Sequence, residues 1–208
     1  MRFSYFFFSF TLLFVLYSCN KEAQNFITFH DSNYNELVNE TTLVDLNSSY
    51  DLIIKVGRIF NTYGSRMRVN DGRAIPAFMG QVLRNESLTV FGDGSQTRSF
   101  CYINDMIEGI YKLLHSNYSK PMNLGNPEEI SLIDIANEII EMGKNNNKII
   151  FKPLPINDPI KRKPDITKAM NILNWKPKVS RKKGLEKTLN YFKNLSLKEL
   201  NKKQNKFK

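Results

Sequence analysis

Few side chains in this sequence are suited to metal or redox chemistry. Its two cysteines, Cys19 and Cys101, and two histidines, His30 and His115, share no ligand spacing. This argues against a structural zinc site, and no metal is expected. Two cysteines also exclude a disulfide-built scaffold. Cys101 lies in an alternating strand pattern and reads as a small buried apolar residue. Gly92-Asp93-Gly94 stands between two short strands rather than at the opening of a helix, so it is not a glycine-rich phosphate turn. What remains is positive charge. Residues 161–208 hold 16 basic and 3 acidic side chains, a net +13, while residues 1–160 sum to −3. Such a basic quarter can attract phosphates, nucleic acid or anionic lipid, or be a solvated face. No aromatic residues interleave with its lysines on a recognisable binding fold, so no nucleic-acid partner is expected.

The elements that must position these groups begin after an atypical N-terminus. The chain has 208 residues, 41% hydrophobic and 12% aromatic, enough for one domain with a real core. Residues 1–19 place one arginine before an apolar run from Phe3 to Tyr17. The run is shorter than the roughly 20 residues a membrane helix needs. It reads as a signal-like or anchor-like segment, with a buried aromatic-rich helix as the alternative. Leu16-Tyr17-Ser18-Cys19 looks like a lipoprotein box, in which Tyr17 is an awkward residue. Residues 20–51 are a polar segment without amphipathic period. From 52 the pattern is α/β. Strands are expected at Leu52–Phe60, Leu88–Phe91, Arg98–Ile103, Met122–Leu124 and Ile149–Lys152. Helices are expected at Ala74–Arg84, from Asn104 or Asp105 to His115, from Ser131, at Asp165–Asn174 and at Arg181–Asn194. Ser131 and Asp134 have the spacing of a capping box. Residues 195–208 are read as a frayed basic tail.

Five motifs in order, RIFNTYG (58–64), NDGR (70–73), LTVFGDGSQTRSFCYINDMIEGI (88–110), NLGNPEEISLIDIA (123–136) and KRKPDITKAMNILNWKPKVSRKKGLEKTLNYF (161–192), closely resemble the C-terminal half of the UDP-glucuronate decarboxylases (UDP-xylose synthases). These belong to the NAD-dependent epimerase/dehydratases, the extended short-chain dehydrogenases. The resemblance covers about residues 53–193. It implies an α/β fold made of the last Rossmann strands and a small substrate-binding subdomain, with the N-terminal Rossmann half missing. The organisation expected is 1–19, 20–51, a substrate-binding region at 52–194, and the tail at 195–208.

The family uses NAD to oxidise C4 of UDP-glucuronate, lose the C6 carboxylate as carbon dioxide and return the hydride. The glycine turn and the Tyr-x-x-x-Lys pair that serve this chemistry lie in the N-terminal half. Tyr34 is followed four residues later by Val38, Tyr50 by Ile54 and Tyr63 by Met67. The pair is therefore expected to be absent, no catalytic residue is assigned, and NAD is not expected to bind this chain alone. By resemblance, Thr62, Arg68 and Arg73 are cofactor-facing. Asn61, Leu88, Val90, Arg98 and Arg162 are substrate-facing: Leu88–Phe91 beside the uracil through backbone amides, Arg98 on the diphosphate, and Arg162 at the carboxylate or phosphate end. A guanidinium fork suits phosphate because it makes paired, charge-assisted hydrogen bonds. Arg68 and Arg73 read equally as loop cations, Arg98 as half of a surface ion pair, and Arg162 as part of a solvated basic run. The implied ligand is a UDP-sugar, and the implied partners are a separate NAD-binding half or a second copy. A strand ending at Phe60 without neighbours would leave its ladder open and promote self-association. Family resemblance implies the cytoplasm; residues 1–19 imply membrane association or export. The alternatives in function are an inactive fragment and a membrane-tethered basic protein.

Overall fold

A computed structural model describes residues 12–18, 26–30, 53–70, 72–154 and 160–200. In chain order they form β1 (Leu12–Ser18), β2 (Phe26–His30), β3 (Ile53–Ile59), β4 (Thr62–Tyr63), α1 (Ala74–Leu83), β5 (Leu88–Phe91), β6 (Thr97–Ser99) and β7 (Cys101–Tyr102). There follow α2 (Ile103–Leu114), β8 (Met122–Leu124), β9 (Glu129–Ser131), α3 (Leu132–Gly143), β10 (Ile149–Lys152), β11 (Lys161–Arg162), α4 (Thr167–Leu173), α5 (Arg181–Lys193) and α6 (Leu197–Leu200). The chain divides into two compact units, Met1–Thr62 with Asn104–Pro127 and Pro164–Lys178, and Tyr63–Ile103 with Glu128–Lys163 and Val179–Lys208.

In the first unit the sheet order is β2-β1-β3-β8. β3 runs parallel to β8, with Gly57 opposite Met122 and Ile59 opposite Leu124. Its β-branched sequence suits a strand packed on both sides. The other edge of β3 is not left open: β1 pairs antiparallel along its whole length, from Leu12 opposite Ile59 to Ser18 opposite Ile53. Part of the segment read as signal-like is thus a strand; the rest of residues 1–19 lies outside the described residues. Among the described residues no helix is long and apolar enough to cross a membrane. Helix α2 buries Met106, Gly109 and Leu113. Trp175 donates its indole N–H to the Asp105 carbonyl at 2.9 Å, and the buried Asp105 carboxylate accepts the Lys178 amide at 3.0 Å. The ring lies so close to Gly109 that a Cβ there would come within 2.8 Å of it. The carboxylate of Asp165 accepts the Thr167 amide and hydroxyl at 2.9 and 2.6 Å just ahead of α4, whose cap position is Ile166 rather than the expected Asp165.

The second unit packs α1, α3 and α5 together. Ile75, Phe78, Met79, Val82, Ile135, Ile139, Leu185, Leu189 and Phe192 form its buried core with Leu88 and Val90. Ser131 caps α3 by accepting the Asp134 amide at 3.1 Å. The Asp134 carboxylate takes the Ser131 hydroxyl at 2.5 Å, where the capping-box pattern sends it to the cap amide. The segment after Asn194, expected to fray, contains α6. There Leu200 is buried and its carbonyl accepts from Arg84 at 2.9 Å. Residues 201–208 lie outside the described residues.

Candidate functional site

Two of the assigned residues of the second unit, Arg98 and Arg162, meet on a three-stranded sheet of order β11-β6-β9. β6 runs parallel to β11, pairing Thr97 with Lys161 and Arg98 with Arg162. It runs antiparallel to β9, pairing Thr97 with Ser131, Arg98 with Ile130 and Ser99 with Glu129. Paired residues in a sheet share a face and successive ones alternate. Arg98, Arg162 and Ile130 therefore occupy one face. Thr97, Ser99, Lys161, Glu129 and Ser131 occupy the other. Two arginines far apart in sequence become immediate cross-strand neighbours, with backbones about 4.8 Å apart. Arg98 is 7% exposed and donates to the Thr97 carbonyl at 2.7 Å, while Arg162 is half-buried. On the reverse face the Glu129 carboxylate accepts the Thr97 hydroxyl at 2.8 Å and lies 3.5 and 3.6 Å from Lys161 and Lys163. The Thr97 hydrogen bond first, and the two ammonium groups after it, hold its carboxyl below the usual range.

The turn before β6 fixes where Arg98 emerges. Gly92 and Gly94 have φ of 66° and 79°, the left-handed region that favours glycine. A Cβ on Gly94 would come within 2.9 Å of Ile133. Asp93 closes the turn by accepting the Ser95 amide at 2.9 Å. The Gly94 and Gln96 carbonyls accept the Ile133 and Leu132 amides, tying the turn to the start of α3. The motif GDGSQTRSF is thus a rigid corner that delivers Arg98.

Leu88 and Val90 lie in β5, beside β10. Both side chains are fully buried in the core, and the Leu88 amide donates to the Lys148 carbonyl at 2.8 Å. Strand alternation turns Val90 the same way. The outward residues of β5 are Thr89 and the 43%-exposed Phe91. Gln81 on α1 meets Thr89 with both ends of its amide: its oxygen accepts the Thr89 N–H at 3.1 Å and its nitrogen donates to the Thr89 hydroxyl at 3.2 Å. Gln81, Thr89 and Glu129 do not emerge from sequence reasoning. Gln81 sits one turn from the end of a helix with no local mark of its role, and Glu129 gains its partners only through strands 32 residues away.

The remaining assigned residues are dispersed. Asn61 and Thr62 belong to the first unit, just after β3; Thr62 donates its hydroxyl to the Phe60 carbonyl at 2.9 Å. In the second unit Arg68 is exposed in the loop, and the half-buried Arg73 immediately precedes α1, its carbonyl accepting the Ala77 amide. NAD requires a cradle of backbone amides for its diphosphate, most simply a glycine-rich helix opening. Among the described residues no helix opening is glycine-rich. Helix α1 opens after Arg73, and α3 and α5 open on Ser131 and Ser180, whose hydroxyls already accept the Asp134 and Lys183 amides. One Tyr-x-x-x-Lys spacing escapes the reading above: Tyr17 precedes Lys21 by four residues. That spacing aligns two side chains on a helix face, but Tyr17 lies in strand β1, and Lys21 is outside the described residues.

The fold is that of the C-terminal part of an extended short-chain dehydrogenase. Residues 32–125 match the NAD dependent epimerase/dehydratase family, reaching back into the polar segment that the motifs leave unmatched. The chain is 46% identical over 146 residues to UDP-glucuronic acid decarboxylase 4 of Arabidopsis thaliana, covering 70% of this chain and 33% of that protein. It is 48% identical over 139 residues to UDP-glucuronic acid decarboxylase 1 of Danio rerio, covering 67% and 33%. The Bacillus cereus UDP-glucuronic acid 4-epimerase, solved with UDP-glucuronic acid and NAD, superposes with a TM-score of 0.69 at 30% identity, over 74% of this chain and 49% of that one. The chain thus matches the NAD dependent epimerase/dehydratase family over residues 32–125 and resembles the C-terminal half of its UDP-glucuronate decarboxylases. It spans about a third of the length of those curated relatives.

Proposed function

We propose that this chain binds a UDP-sugar, and that it supports the decarboxylation of UDP-glucuronate to UDP-xylose only together with a separate NAD-binding half. The observation that carries the reading is the Arg98–Arg162 register pair: two guanidiniums on one face of a small sheet match the adjacent phosphates of a nucleoside diphosphate. Similarity to UDP-glucuronic acid decarboxylases, and to an epimerase that was solved with UDP-glucuronic acid, supports this substrate class. No step is assigned to NAD, since no helix opening among the described residues is glycine-rich. The same resemblance favours the cytoplasm, which fractionation of cells checks.

Calorimetric titration with UDP and UDP-glucuronate tests the reading. The wild type binds both. Arg98→Ala weakens binding by one to two powers of ten, since one charge-assisted contact is worth about 1.5–3 kcal/mol. Arg98→Lys recovers part of it, because an ammonium cannot make the paired contact. Lys182→Ala, at an exposed site on α5, changes little. Equal binding by wild type and Arg98→Ala overturns the assignment. Carbon dioxide release from UDP-glucuronate by the pure chain alone overturns the need for a separate half.

A further inference from the structure

We propose that Glu129 is a positioning residue: a single carboxylate on the reverse face of the β11-β6-β9 sheet that clasps the residues flanking both arginines, so that Arg98 and Arg162 are presented side by side. The argument is geometric. A strand sends alternate side chains to opposite faces, so whatever holds the neighbours of an arginine on one face sets its aim on the other. Thr97 precedes Arg98, and its hydroxyl donates to Glu129 at 2.8 Å. Lys161 and Lys163 stand on either side of Arg162, and both ammonium groups approach the same carboxylate, at 3.5 and 3.6 Å. β11 is only two residues long and β6 three. The backbone ladder between them is therefore short: the Arg98–Arg162 match and the Thr97–Lys161 match are its two register pairs. A ladder this brief does not by itself fix strand angle or register, and side-chain ties across it take on that task. Glu129 stands on the third strand, opposite Ser99, and joins all three strands through one group.

The three ties differ in kind. The Glu129 side chain is 18% exposed, whereas Lys161 and Lys163 are 68% and 50% exposed. The lysine pairs are solvated and screened by salt; the threonine bond is shorter and more sheltered. Glu129→Gln keeps an acceptor for Thr97 and loses both ion pairs. Thr97→Val removes the hydroxyl at nearly constant shape. Glu129→Ala removes the whole clasp.

The ligand side of this inference rests on the UDP-sugar reading, so the test has a ligand-free arm. The full chain, its variants and the matched control Glu186→Gln, at an exposed acidic site on α5, are titrated with UDP by calorimetry. The Nε–Hε signals of Arg98 and Arg162 are recorded by NMR without ligand. Glu129→Ala is expected to weaken UDP binding roughly three- to tenfold, within the range that coupled neighbours show. Glu129→Gln and Thr97→Val are expected to weaken it less. In an Arg162→Ala background Glu129→Ala should add little, because a residue that acts through the arginine pair loses its effect with the pair. Both arginine signals should shift in Glu129→Ala and stay put in Glu186→Gln. If Glu129→Ala does not fold, Glu129→Gln and Thr97→Val carry the same comparisons. Undiminished UDP affinity in the Glu129 variants, or an equal loss with and without Arg162, overturns the proposal. If the wild type ignores UDP, the nucleotide-sugar reading fails on its own, and the NMR arm decides the clasp: unmoved arginine signals overturn it, and shifted ones support it.

Discussion

Glu129 illustrates how one side chain couples charge state to geometry. Its carboxyl titrates lower in the folded chain than in the unfolded one. The ionised form therefore stabilises the fold above the ordinary value of about 4.3, and that contribution is lost as pH falls through the lower folded value. The melting temperature of wild type should exceed that of Glu129→Gln near neutrality, and the gap should close as pH falls from about 4.3 through the lower folded value. Added salt should narrow the gap near neutrality, since the two lysine pairs lost in Glu129→Gln are screened; what persists is the difference between a charged and a neutral acceptor for Thr97. Melts across pH and ionic strength check this; a gap that widens in acid would contradict it. At the same scale Arg98 was recognisable from its motif. Arg162 was picked out in the same way, but its pairing with Arg98 was not legible, because nothing local in KRKPD says which residue of another strand Arg162 will face.

At the scale of elements, the helix starts rank themselves by their caps. Ser131 accepts the Asp134 amide at 3.1 Å and also bonds its carboxylate, whereas Ser180 reaches the Lys183 amide only at 3.4 Å. Ser131→Ala should cost about 1 kcal/mol, in the usual range for a lost cap, and Ser180→Ala less. Chemical denaturation of the two variants measures the order, and the reverse order would refute it. Helix α2 sets packing against propensity at Gly109. Alanine there should gain up to about 1 kcal/mol of helix propensity. It would also press a methyl group against the Trp175 ring, and overpacking costs about 1–3 kcal/mol. Packing should win, so Gly109→Ala lowers the denaturation midpoint. The two short strands β9 and β11 were not legible in the sequence. Three and two residues are too few to display a period, and they exist because β6 lies between them.

For the whole molecule, the charge split separates specific from nonspecific attraction. The C-terminal quarter carries +13 against −3 for the rest. Its attraction for anions should fall steeply with salt. Leu200 is buried, so a truncation must begin after it. Removing residues 201–208 takes away four lysines, Lys202, Lys203, Lys206 and Lys208. This should leave UDP affinity within about twofold at physiological salt, where the Debye length is about 8 Å, while reducing the salt dependence of binding. Loss of binding on truncation, with Arg98→Ala intact, would move the site to the tail. The expected open edge of β3 is also revised at this scale: β1 pairs along it, so that edge is not where self-association would begin.

The sequence by itself determined the local order of this protein. β-branched runs became β3, β5 and β10, apolar residues at helical spacing became α1 to α3 and α5, and Ser131 and Asp165 marked helix starts, because propensity, periodicity and capping act within a few residues. The motifs likewise sufficed to point to the UDP-glucuronate decarboxylases that the chain resembles. The tertiary structure alone decided which faces those residues present. Leu88 and Val90 turned inward because β5 lies between the core and its outward edge. Arg98 met Arg162 because two-residue β11 pairs with β6 across 64 positions of chain. Glu129 found Thr97, Lys161 and Lys163 on the reverse face. Strand register is a nonlocal choice, made by the packing of the whole unit, and a shift of one residue would send every one of these side chains to the opposite face.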